Sequence, residues 1–437
     1  MRPQSVRGGV IVAAACSIAL LASARSGLCD QALLDKIIEL NQKANEANAK
    51  KDYAASLAHL EETLRLVKDA PRTLYRSAGA LALLGRKAEA LQRLEQVVDV
   101  GVGLGVGENP DFASLRGDPK FEALLQKAEA LRKPAGNAVV AVRVPDKDLI
   151  PEGIAFDPKT KTFYLSSLYK AKIVAVPAAG GDPKDITTEG QDGFWCGLGM
   201  KVDTERRILW AASAYEEAIR GFKQEQAGNS GVFKYDLDTG KLLKKYTLTN
   251  KPDAHILNDL VVTSAGDVFV TDTLTGRLYV IDHARDQLEE FTERGRFPGA
   301  NGIALSPDEK KIFVAHGFGI AVLDRAARTS IELPAPPSAT LTGIDGLYWH
   351  DGSLIAVQAD ISRISRVRLN AQWDRAEHAE VLDSHNPLFR DPTTGVVAGD
   401  SFFYIANCQY SSYNDDGTPF PIEKLQDVVV LVVPLTR

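Results

Sequence analysis

The chain has no basic block. Lys and Arg total 51 against 57 Asp and Glu, a net charge of −6, so it offers no electrostatic case for nucleic acid as a partner. Methionine (2) and cysteine (4) are scarce in 437 residues, which excludes a Met-rich adaptable surface and a disulfide scaffold. No Gly-x-Ser-x-Gly elbow and no His-Glu-x-x-His pair occurs, so the usual serine-hydrolase and zincin signatures are missing. No apolar run reaches membrane-span length either; Gly9 to Leu21 falls short of the ~20 residues a crossing helix needs.

What is present begins with that segment. Arg2 and Arg7 precede the apolar stretch, and Ala22-Ser23-Ala24 follows it as a small-x-small site. Residues 1–24 therefore read as a signal peptide, and the mature protein is expected to be periplasmic or secreted, without a transmembrane segment. Leu28 before Cys29 fits lipid processing poorly. Cleavage leaves Cys29, Cys196 and Cys408, an odd number that permits one internal disulfide at most. Cys196 and Cys408 belong to non-adjacent repeats, and buried thiols are expected. A composition of 45% hydrophobic and 25% charged residues is that of a globular chain, and its length predicts two domains behind the leader.

The larger domain is a repeat. Gly299-Ala-Asn-Gly-Ile-Ala-Leu-Ser-Pro-Asp-Glu-Lys-Lys-Ile-Phe-Val-Ala-His316 reads as two β-branched, apolar strands around a Ser306-Pro307-Asp308-Glu309 turn. Aligned on Asn301, the same unit recurs at Glu152, Leu198, Asn258, Asp345 and Thr394, with spacings of 46, 60, 43, 44 and 49 residues. Five of the six positions are followed by Gly. A period in the forties with about four short strands per copy predicts a six-bladed β-propeller over residues 138–437. The apolar ends, Ala138 to Val144 and Val428 to Pro434, are expected to share one blade and close the ring. Two irregular stretches interrupt it. Tyr215 to Asn229 in blade two is either a lid or a surface loop, and Gln409 to Ile422 lies in blade six.

Residues 31–133 are helical in pattern. Two helical hairpins superimpose at a shift of 34 residues, placing Lys51 on Gly85, Ala54 on Ala88, Leu57 on Leu91, Leu60 on Leu94 and Glu61 on Glu95. This small all-α domain resembles tetratricopeptide repeats closed by a capping helix from Pro119 to Arg132. It offers either a groove for a protein partner or a cap that orients the propeller. Gly101 to Gly107 lacks the Lys-Ser/Thr of a phosphate loop and reads as a connection. Lys133 to Asn137 is the linker.

In a propeller the innermost strands run along the central axis, so residues at one phase converge. Glu152, Asn258, Asn301 and Asp345 place four carboxylate or amide oxygens there. Oxygen-only donors suit a hard divalent cation, calcium first and then magnesium, manganese or zinc. A hydrogen-bonded ring tying the blades together is the alternative. Phe194, Trp195 and Trp349 lie beside these positions as a pocket wall or as packing between blades.

The Glu-Gly-Ile, Asn-Asp, Ala-Asn-Gly-Ile-Ala-Leu-Ser-Pro-Asp and Asp-Gly-Leu elements, in this order, resemble the SMP-30/gluconolactonase family of six-bladed propellers, with paraoxonases as more distant relatives. The resemblance covers about two thirds of the chain. It implies that Glu152, Asn301 and Asp345 ligate the metal, that Asn258 contacts metal or substrate, and that Asp345 is the general base in hydrolysis of a lactone or similar ester. Two departures qualify the substrate. Ile256 stands where the family's gluconolactonases usually carry a sugar-gripping Arg, and Leu198 stands where paraoxonases place a working His. The former disfavours a sugar-acid lactone and favours a more apolar lactone or aryl ester. His255, His316 and His350 lie near the site in sequence and are expected to be satisfied turn or strand residues. The rival reading is a non-catalytic propeller that binds a ligand or protein, its metal structural.

Overall fold

The computed structural model describes residues 31–66, 70–414 and 417–436. The expected signal peptide and Cys29 lie outside these residues. No described helix is long and apolar enough to cross a membrane.

Five helices come first: α1 Gln31–Ala49, α2 Tyr53–Leu66, α3 Pro71–Leu83, α4 Lys87–Asp99 and α5 Pro119–Leu131. Several positions paired by the 34-residue shift take up similar environments. Lys51 and Gly85 turn their hairpins at φ of 60° and 76°, and Leu57, Leu60, Leu91 and Leu94 are all buried. The entry to α5 is set by Asp118, whose carboxylate accepts from the Lys120 and Phe121 amides, with Pro119 at the first helical position. Gly101 to Gly107 connects α4 to this last segment and is packed against it; a Cβ on Gly103 would lie 2.4 Å from the Ala128 carbonyl.

Six antiparallel sheets follow. The innermost strands are Pro151–Asp157, Cys196–Asp203, Leu257–Val262, Ile303–Leu305, Gly346–His350 and Gly395–Ala398. Each packs against the next, and the sixth returns to the first. Every sheet has four strands except the fifth, which has five. The fold is a six-bladed β-propeller. Closure is the expected one: Val139–Val144 pairs antiparallel with Val428–Pro434, so one blade holds both ends of the domain and the ring is closed there. The linker differs from expectation. Ala135 and Gly136 pair with Ser384 and Asp383 as the fifth strand of blade five, because that blade's outer strand is long enough, at nine residues, to offer an edge.

The helical domain is seated on blades four and five. Leu34, Ile37 and Ala70 pack with Phe318, and Leu64, Leu74, Val97 and Val102 pack with Ile361. Arg72 donates to the Asp360 carbonyl and Arg363 to the Gly101 carbonyl across the same junction.

Candidate functional site

The glycines explain how the inner strands meet. A Cβ on Gly153 would lie 2.0 Å from the Leu198 carbonyl, and one on Gly302 would lie 2.7 Å from the Asp345 carbonyl. Each glycine thus lets one blade press its backbone against the key residue of the next. Blade three breaks the rule with Asp259. There, as in blades one and two, the inner strand bulges at the key pair: register shifts bracket Glu152-Gly153, Leu198-Gly199 and Asn258-Asp259. Bulges re-aim side chains, and they do so here at the axis.

Three of the four expected residues form one connected group. Asn301 donates from Nδ2 to Asp345 Oδ1 at 2.7 Å. Thr393 Oγ1 donates to Asp345 Oδ2 at 2.7 Å and lies 3.4 Å from Glu152 Oε1. Asn258 stands one link away, its Nδ2 donating to Thr273 Oγ1 at 3.0 Å, which itself donates to the Ala300 carbonyl beside Asn301. Both amides therefore spend their N–H groups on neighbours and keep their oxygens. Among the described residues, Glu152 Oε2, Asn258 Oδ1 and Asn301 Oδ1 are buried without a hydrogen-bond partner. Buried oxygens are seldom left so, and three in one neighbourhood fit a cation. Among the described residues no three His, Cys, Asp or Glu side chains gather as a metal cluster; the donors here are two carboxylates and two amides.

The electrostatics agree. Burial, then the charges of Asp345, Asp259 and Glu216, hold the Glu152 carboxyl well above its usual range. Burial also raises Asp345, against which the Thr393 and Asn301 hydrogen bonds pull down. Carboxylates crowded without a counter-charge resist ionisation, and a cation at this point would relieve both.

Several participants lie off the repeat's phase. In blade six the residue reaching the carboxylates is Thr393; Thr394, the residue at the repeat phase, instead donates to the Glu152 backbone carbonyl. Asp259 is 2% exposed and meets Lys201 Nζ at 3.3 Å, and that ammonium sits 5.1 Å from the Tyr348 ring centre. The two irregular stretches meet on one face, where Tyr413 donates to the Ala218 carbonyl. Beneath them is a cavity of about 270 Å³, lined by Tyr215, Glu216, Phe222, Ile256, Leu274 and Tyr410. Glu216 is half-buried there, and burial together with the Glu217 charge pushes its carboxyl up to about 7. The blade-two insertion is thus a cover over a pocket.

His255 and His316 are satisfied. His255 Nδ1 lies 2.7 Å from Asp272 Oδ2 and His316 Nε2 lies 3.0 Å from Glu332, while His350 Nε2 lies 3.5 Å from the exposed Asp400 carboxylate. The aromatics mainly pack: Phe194 meets Phe233 edge-on at 5.1 Å, Trp349 stacks on Phe313 at 5.6 Å, and Trp195 lies 6.4 Å from Tyr215 of the cavity wall. Among the described residues Cys196 and Cys408 are free, and both are buried.

No family model matches the chain, and no curated relative matches it. Solved structures do. A gluconolactonase from Xanthomonas campestris aligns at 14% identity and a TM-score of 0.46, over 69% of this chain and 99% of its own. A streptogramin B lyase aligns at 14% and 0.45 over 69% and 98%. An aldose sugar dehydrogenase from Streptomyces coelicolor, in its PQQ-bound form, aligns at 12% and 0.45 over 69% and 99%. The three names span different chemistries; the six-bladed fold itself follows from the strand pairing of this chain.

Proposed function

We propose that the protein is a divalent-cation-dependent hydrolase acting on a lactone or related ester, with calcium as the preferred ion. One observation carries the reading: three donor-less buried oxygens, on Glu152, Asn258 and Asn301, beside the Asp345 carboxylate. These residues would hold the cation, which when bound supplies the positive charge that stabilises an oxyanion developing on the substrate carbonyl.

The chain's own groups do the rest. Thr393 and Asn301 fix the plane of the Asp345 carboxylate by donating to one oxygen each, so that it can take a proton from the attacking water as the new C–O bond forms. The same proton is then available to the departing alkoxide oxygen. Tyr215, Phe222, Ile256, Leu274 and Tyr410 make the neighbouring cavity largely apolar, which suits an apolar lactone or aryl ester and excludes water from its body. Ile256 puts no cation there to grip sugar hydroxyls.

A screen of aryl esters and lactones, with calcium or with chelator, tests this. Calcium-dependent turnover that Asp345→Asn abolishes supports it. Cation binding with no turnover on any substrate class would replace it with the binding-module reading, which Ile256 also favours. Export by cleavage after residue 24 belongs to the same proposal and is checked by the N-terminal sequence of the secreted product. The tetratricopeptide likeness of α1 to α4 is likewise proposed; their seating on blades four and five supports a cap more than a partner groove.

A further inference from the structure

A second cavity, of about 210 Å³, lies between the helical domain and blade five, with Gly101, Leu131 and Lys133 on one side and Thr340, Arg363 and Ser384 on the other. This is far above the roughly 10–15 Å³ that one water needs. Arg363 opens the blade's third strand and is 6% exposed. Its Nη2 donates to the Gly101 carbonyl, while its Nε is buried with no partner among the described residues. Burial pushes its guanidinium down, and no acid among the described residues offsets that burial. A buried cation without a counter-charge is costly, and interiors normally pair it.

The acids nearby are engaged elsewhere. Glu380, which also lines the cavity, lies 3.3 Å from Arg366 Nη1 and 3.0 Å from Arg368 Nη2. Asp383 accepts from Tyr404 and Asn386. The local field is positive: His385 is held below its usual range by burial and then by the charges of Arg363 and Arg132.

We propose that this junction is a binding site for a small oxyanion, a carboxylate or phosphate, taken by the Arg363 guanidinium with Lys133 at the mouth. The Arg363 guanidinium lines the cavity, and its planar charge suits the paired oxygens of either group, which would receive charge-assisted hydrogen bonds. Because Arg363 belongs to the propeller and Lys133 follows α5, a bound anion would tie the two domains together. The site is separate from the cation centre and does not depend on it.

Titration calorimetry of the full mature chain tests the proposal, with inorganic phosphate in one arm and succinate in the other, chloride being used to match ionic strength. The expected result is saturable binding in at least one arm, and which arm binds identifies the ligand source. Arg363→Met should weaken it at least about tenfold, or about 1.4 kcal/mol. Lys133→Ala, at an exposed position, should weaken it about 2–5-fold without disturbing the fold. Should Arg363→Met fail to fold, Lys133→Ala and Ser384→Ala carry the comparison. No saturable heat beyond the chloride control in either arm, or unchanged affinity in the folded variants, would overturn the proposal.

Discussion

Thr393→Val removes one hydroxyl and keeps the side chain's shape. That hydroxyl donates to Asp345 Oδ2 at 2.7 Å and is the residue's only strong bond at the site, the Glu152 contact being 3.4 Å. A hydrogen bond to a charged group contributes about 1.5–3 kcal/mol, and its loss leaves a buried acceptor unmet. We take about 2 kcal/mol. Spread over an unfolding entropy of about 0.6 kcal/mol/K for about 300 propeller residues, this lowers Tm by about 3 °C. A second consequence separates this role from packing. The Thr393 bond pulls the Asp345 carboxyl down against the raising effect of burial, so removing it raises that carboxyl further. A base must be ionised to act, so the acidic limb of the pH–rate profile moves to higher pH. Scanning calorimetry and a pH–rate series check both effects, and Thr393→Ser should restore both. An unchanged Tm together with an unmoved acidic limb would show that the Thr393 hydroxyl does not support Asp345.

Three further outcomes are expected. Gly302→Ala places a Cβ 2.5 Å from the Leu347 amide nitrogen and 2.7 Å from the Asp345 carbonyl; both neighbours are backbone, so urea unfolding should show a loss of about 1–3 kcal/mol together with weaker cation binding. Glu152, raised first by burial, stabilises the fold below its unfolded value and loses that contribution as pH rises through the folded value; chelated protein should therefore lose thermal stability as pH climbs above about 4.5, and Glu152→Gln should flatten the curve. Ile256→Arg puts a charge into the apolar cavity, and kcat/KM for an aryl ester should fall about tenfold or more, with stability measured alongside.

The sequence displayed what repeats. Six copies at one phase revealed the ring, its closure and four of the residues at its axis, because periodic burial imposes periodic patterning. The following glycines were equally legible, and for Gly153, Gly199 and Gly302 the structure supplies the reason in the close approach of adjacent inner strands, while Gly346 and Gly395 make room for Tyr348 and Phe402 of their own blades. What escaped lies off the period. Thr393 precedes its phase position by one residue, and no alternation distinguishes it from Thr394. Asp259 occupies the one place where the glycine is replaced, a departure that could have marked it. Arg363 gave no signal: it is one of three arginines, with Arg366 and Arg368, along an ordinary strand, and it meets the helical domain through a residue some 260 positions earlier in sequence. Glu216 belongs to a non-repeating insertion, whose position over the cavity depends on contact with blade six.

Calcium titration calorimetry on the mature protein beside Asp345→Ala, followed on the same samples by ester and lactone hydrolysis, tests the cation centre most directly. Saturable binding by the wild type, loss of that binding in a variant that still folds, and turnover that tracks occupancy are expected. Absence of binding by the folded wild type to calcium, magnesium, manganese or zinc would contradict a cation centre, leaving the oxygens of Glu152, Asn258 and Asn301 as members of a hydrogen-bonded ring between blades.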